Sequence, residues 1–130
     1  MSKIAFFDSY DSATAFAITI RTGVQSRSEL FDELQSKLRF PYFGRNWNAL
    51  SDLLRDLSWI IEREVVIIHH ELPQLDNDSL ELYFDVLFEA ISDWKPSEAH
   101  ELKAIFPFTA RSYVTQFISQ HNPSFTFLLD

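Results

Sequence analysis

Apolar residues along this chain fall into two rhythms, one that suits strands and one that suits helices. Ala15 to Arg21 (AFAITIR) is rich in β-branched and aromatic residues and predicts a strand. Gly23 interrupts it, and Ser26 with Glu29 has the S-x-x-E spacing of a capping box. Leu30, Phe31, Leu34 and Leu38 then share one helical stripe. Phe40-Pro41 ends that helix, because a residue before proline is pushed out of the α region. Pro41 to Arg45 is therefore a loop. A second helix is expected from Asn46, a suitable N-cap, to about Ser58. Its Trp47, Leu50, Leu53, Leu54 and Leu57 fall within roughly 120° of arc at 100° per residue.

Glu64 to His69 (EVVIIH) is an unbroken β-branched run, as expected of a parallel strand buried on both faces. A third helix is predicted over Asp78 to Trp94, with Leu80, Tyr83, Phe84, Leu87, Phe88 and Ile91 as its core stripe and Pro96 just beyond it. The last third reads as a candidate strand at Leu102–Phe106, a short helix at Ala110–Gln120 and a candidate last strand at Phe125–Leu129. Strands and helices in alternation predict an α/β fold with a largely parallel sheet. No repeat, low-complexity tract or linker divides the chain, so one domain is expected over residues 1–130.

Composition supports a packed core. Apolar residues make up 46%, including 13 Phe, 4 Tyr and 3 Trp, far more than a disordered acidic chain carries. Only two glycines are present, Gly23 and Gly44, which argues against a Gly-rich phosphate loop. The net charge of −8 repels phosphate backbones, and no basic cluster offsets it, so direct nucleic-acid binding is not expected. A basic protein partner, in contrast, would be attracted. Cysteine is absent, which removes disulfides and thiolate chemistry. The N-terminal MSKIAFFDSYDS lacks the apolar stretch of a signal peptide, and no apolar run approaches the ~20 residues of a membrane span. A cytoplasmic protein without membrane contact is expected.

Catalysis finds little footing. His69, His70 and Glu71 are the tightest group of acid–base or metal-ligating residues, yet neighbours at a strand end point to opposite faces. His100 and His121 belong to the less regular C-terminal third. There is no G-x-S-x-G elbow, no H-E-x-x-H helix and no P-loop. No enzyme activity, cofactor or metal is expected.

Residues Phe40 to Trp59 read FPYFGRNWNALSDLLRDLSW. This stretch resembles the signature of barstar-like ribonuclease inhibitors, a proline-aromatic-aromatic-glycine loop leading into a helix of the form N-[LW]-D-A-L-x-D. Pro41, Tyr42, Phe43, Gly44, Asn46, Trp47, Ala49, Leu50 and Asp52 occupy matching positions. The strand and helix before it and the strand and long helix after it follow the family's order. The resemblance covers about residues 15–94, with one C-terminal candidate supplying a further strand. Residues 1–12 and part of 95–130 look like additions to that core.

The resemblance implies a three-layer α/β fold, with a small, mostly parallel sheet of three or four strands packed with helices. It also implies a function: a non-enzymatic intracellular inhibitor that plugs the active site of a ribonuclease, with an acidic helix surface in the place of the RNA phosphate. Carboxylates suit that role, because they accept the charge-assisted hydrogen bonds that a cationic cleft offers to phosphate.

Opposite the buried stripe of the second helix, Asn48, Asp52, Arg55 and Trp59 are expected to project outward. Asp52 is the leading candidate for the phosphate-mimicking carboxylate. Asn48 stands where the family usually has Asp, keeping the shape and removing the charge. Arg55 on the same face would dilute the negative field. Tyr42 is a candidate contact anchor, Phe43 is expected to pack inward, and Gly44 to supply a positive φ or a close approach to the partner. Trp47 suits either the helix-edge core or the interface, and Asn46 serves as N-cap and possible contact. Glu89, in a V-x-x-E-A pattern, matches an acidic position on the family's long helix and shares a charged face with Asp85 and Asp93. A second reading keeps the scaffold and changes the partner: an immunity protein against an unrelated toxin, or a regulatory subunit.

Overall fold

The computed structural model describes residues 3–6 and 14–129. Four strands, β1 (Ile4–Phe6), β2 (Phe16–Ile20), β3 (Glu64–His69) and β4 (Glu101–Phe106), form one sheet in the order β1-β4-β3-β2. Every pairing is parallel. The helices are α1 (Arg27–Lys37), α2 (Trp47–Asp56), α3 (Asn77–Asp93) and α4 (Arg111–His121).

The uninterrupted apolar run of β3 has the cause the sequence suggested. The strand lies between β2 and β4, and Val65, Val66 and Ile67 are each fully buried. Alternate residues divide the sheet into two faces. Ile18, Ile20, Val65, Ile67, Leu102, Ala104 and Phe106 join the stripes of the helices in the main core. Ala5, Val66 and Ile105 form a smaller cluster on the other face.

Two elements differ from the sequence-based expectation. The candidate last strand at Phe125–Leu129 is instead part of a 3-10 segment, Pro123–Leu128, and only Leu129 makes a single bridge, to Ile4. Pro123 at the start of that segment, with Asn122 before it, turns the chain into a tight coil and leaves no extended run to pair. The other C-terminal candidate, Leu102–Phe106, is the true strand. At the opposite end of the chain, Ile4, Ala5 and Phe6 pair with Ala104, Ile105 and Phe106. Three residues are too few to show a periodic pattern, so β1 had no signal in the sequence.

Helix boundaries follow local chemistry. Ser26 caps α1, its Oγ accepting from Glu29 N at 3.1 Å, and the Glu29 carboxylate returns the bond one residue early, to Gln25 N at 2.8 Å. Asp76 caps α3 through Ser79 N at 2.8 Å, and those hydrogen bonds hold its carboxyl below the ordinary range. Helix α2 stops at Asp56 rather than Ser58, because Leu57 adopts a left-handed conformation (φ 51°) with its N–H bonded to Leu53 O.

Candidate functional site

The loop between α1 and α2 is built from its two ends. After the C-cap Leu38, Arg39 takes φ 58°, and Phe40 N reaches back to Gln35 O at 3.1 Å. This is the left-handed helix stop that glycine usually supplies, made here by an arginine. At the other end Arg45 has φ 52°, and Asn46 is extended and caps α2, its Oδ1 accepting from Ala49 N at 2.8 Å. That cap satisfies one of the orphan N–H groups of the helix.

Between those ends the aromatics divide. Phe43 turns inward, with its ring edge-on to Phe31 at 5.1 Å and to Phe40 at 5.2 Å. Trp47 is half-buried at the edge of the core, 5.0 Å from the Phe31 ring. Tyr42 points out and is 69% exposed. Of the two roles expected of Gly44, a positive φ or a close approach to the partner, the first does not hold; the left-handed conformation falls on Arg45. What requires a small residue at position 44 is space, since a Cβ there would lie 3.3 Å from the Cβ of Ala49. Within the chain, the backbone at Gly44 lies close against the start of α2.

On α2, Asn48 and Asp52 are both exposed and one turn apart. The Asp52 carboxylate makes no hydrogen bond or ion pair with another described residue. Arg55 is also exposed, but it is not an isolated cation on that face. It reaches across to α3, where Nη2 meets Glu89 Oε1 at 3.0 Å and Nε meets Asp93 Oδ2 at 3.3 Å. Glu89 and Asp93 are therefore partly neutralised. Trp59 does not project outward as expected. It lies beyond the end of α2, its indole N–H bonded to Leu38 O at 2.8 Å and its ring edge-on to Phe40.

The histidine pair at the end of β3 does not converge. His69 is buried, stacked 4.4 Å from the Phe106 ring, and both its nitrogens are engaged. Ile105 O, 3.0 Å from Nδ1, can only accept, so Nδ1 carries the hydrogen and Nε2 accepts from the Tyr83 hydroxyl at 2.7 Å. Burial lowers its pKa from 6.5 to about 4 and raises that of Tyr83. His70 is exposed, and the Glu71 carboxylate accepts from Gly23 N. Among the described residues no group of three or more His, Asp or Glu side chains is arranged to hold a metal ion. No helix among them is long and apolar enough to cross a membrane.

Sequence reasoning missed the acceptors that Arg45 and Arg55 find on other helices. No periodic pattern records such pairs, because they join residues far apart in the chain.

Sheet and loop together define a class: a small α/β protein with an all-parallel four-stranded sheet, displaying an aromatic-glycine loop that opens directly into a helix. A family model described as barstar (barnase inhibitor) matches residues 15–108. The chain belongs to the barstar family, and the expected α/β arrangement of a small parallel sheet packed with helices is the one it has. Comparison with curated proteins and with solved structures gives no match.

Proposed function

We propose that this protein is a non-enzymatic inhibitor of a ribonuclease, binding over the active site through the loop at Tyr42–Asn46 and the exposed face of α2. The observation that carries the reading is Asp52, an exposed carboxylate one turn into the helix after the family loop, with its acceptor capacity unspent on other described residues. In a cleft lined with Arg, Lys and His, such a group would accept the hydrogen bonds meant for a phosphate. Tyr42 would supply the aromatic anchor, and Asn46 and Asn48 polar contacts beside it. The net charge of −8 would accelerate encounter with a basic enzyme, and it disfavours nucleic acid as the direct ligand. A cytoplasmic protein acting as one barstar-like unit, without cofactor or membrane contact, fits this role.

A second reading has its own support. Asn48 is neutral, and Arg55 sits against Glu89 and Asp93, so the surface offers fewer uncompensated carboxylates than a strongly basic cleft would favour. A barstar scaffold that serves as immunity or regulatory protein for a different partner accommodates that balance.

Titrating the purified protein into barnase, while following both binding and RNA cleavage, tests the first reading. Stoichiometric inhibition supports it. No binding, together with capture of a neutral or acidic partner identified by mass spectrometry, turns the assignment to the second.

A further inference from the structure

Arg45 is one of three non-glycine residues, with Arg39 and Leu57, that hold a left-handed backbone among the described residues. Its φ of 52° lies in a region where a side chain with a Cβ is strained and glycine is preferred. Yet glycine stands one position earlier, at Gly44, and the arginine occupies the strained place.

The guanidinium accounts for this. Its Nη1 donates to Gln35 Oε1 at 2.8 Å, and Nη2 to Asp32 Oδ1 at 2.9 Å, with Ser28 O at 3.2 Å and Ser28 Oγ at 3.3 Å beside it. Ser28, Asp32 and Gln35 lie at i, i+4 and i+7 on α1 and therefore share one face of that helix. The same guanidinium lies 6.0 Å from the centroid of the Phe31 ring, and Phe31 in turn meets Phe43 and Trp47 edge-on. One side chain thus spans from the loop to two turns of α1 and to the aromatic cluster of Phe31, Phe43 and Trp47. The loop's other end has a matching hold: Arg39, also left-handed, lies 5.2 Å from the Phe16 ring.

We propose that Arg45 is a positioning residue, whose clamp on α1 holds Tyr42 through Asn46 in the shape that meets the partner. This rests on the reading of loop and α2 as the binding face. A flexible loop loses conformational freedom on binding, whereas one already braced by Arg45, Phe43 and the Asn46 cap has less to lose. An exposed ion pair contributes little to global stability, so the clamp acts on the loop more than on the fold.

The test uses the full chain with Arg45→Ala, Arg45→Lys and Asp32→Ala, each with Tyr42 present and with Tyr42→Ala. Backbone amide order parameters at residues 42–45 are measured on the free protein, and affinity is measured against barnase. In Arg45→Ala and Asp32→Ala those amides are expected to fall from the rigid range near ~0.85 toward ~0.6. Affinity should drop by about tenfold with Tyr42 present and by far less once Tyr42 is Ala. Lysine, which can still reach one acceptor, should fall between wild type and alanine. Unchanged order parameters would overturn the proposal, as would an affinity loss equal in both Tyr42 backgrounds. If the wild-type chain does not bind barnase, that result counts against the ribonuclease reading and not against the clamp. The order parameters then decide the clamp, loosening supporting it and an intact loop refuting it.

Discussion

The Tyr83 hydroxyl donates to His69 Nε2 at 2.7 Å, joining the end of β3 to the first half of α3 inside the core. The imidazole there is neutral, and its other nitrogen holds Ile105 O on β4. One histidine therefore ties two strands and a helix together without taking part in surface chemistry. The bonds depend on a single protonation state, so this link responds to pH.

Because the folded pKa of His69 lies near 4 against an ordinary 6.5, its contribution is fully present above pH 6.5. It is lost as pH falls from 6.5 toward 4. A shift of that size corresponds to about 3 kcal/mol of unfolding free energy. Urea unfolding of wild type and His69→Gln across pH 7.5 to 4 checks this: wild type should lose more stability over that window than the variant. Parallel curves would mean that His69 does not titrate on unfolding.

Asp52→Ala should leave folding almost untouched, within about 0.5 kcal/mol, because an exposed helix charge without a partner contributes little to stability. Binding to a ribonuclease should weaken by about 2–5 kcal/mol, as when one side of a desolvated charge pair is removed. Calorimetric titration beside thermal unfolding separates the two effects. Equal losses of fold and affinity would make Asp52 structural.

Asn48→Asp restores a charge one turn from Asp52. If the partner cleft is strongly basic, dissociation should slow and the complex should become more salt-sensitive. In the free protein, repulsion from Asp52 one turn on opposes the favourable place of a carboxylate in the first turn of α2, so stability should change by no more than about 0.5 kcal/mol. Weaker binding after the substitution would point to a partner that is not cationic there.

Arg55 and Glu89 are both substantially exposed, so breaking their pair should cost no more than about 1 kcal/mol of stability. Its larger consequence is electrostatic. Arg55→Ala frees Glu89 and Asp93 and removes a cation, which should speed association with a basic partner at low salt. Stopped-flow rates at two ionic strengths measure this; no change would place the α2–α3 seam outside the encounter surface.

Phe117 on α4 packs edge-on against the stacked rings of Phe84 and Phe88 of α3, with centroids 5.2 and 6.3 Å away. Phe117→Ala should destabilise the fold by about 3–5 kcal/mol. Affinity of the remaining folded protein should be unchanged, because α4 lies beyond the family match and its Phe117 packs on α3. Loss of affinity at full stability would show that α4 contributes to the binding face.

The sequence by itself determined β2, β3, β4 and the four helices, and which stripe of α1, α2 and α3 is buried. The stripe on α2, the unbroken apolar run of β3 and the capping residues Ser26 and Asn46 are local patterns, and burial rewards them wherever the element packs. The signature from Phe40 to Trp59 was likewise local, so loop and helix were legible together. Only the tertiary structure decided which distant groups meet. Arg45 finds Asp32, Arg55 finds Glu89 and His69 finds Tyr83 because crossovers and sheet order bring separate elements together, and no period of two or 3.6 residues encodes that. The same holds for β1, whose three residues become a strand only because the edge of β4 offers unpaired backbone groups to complete.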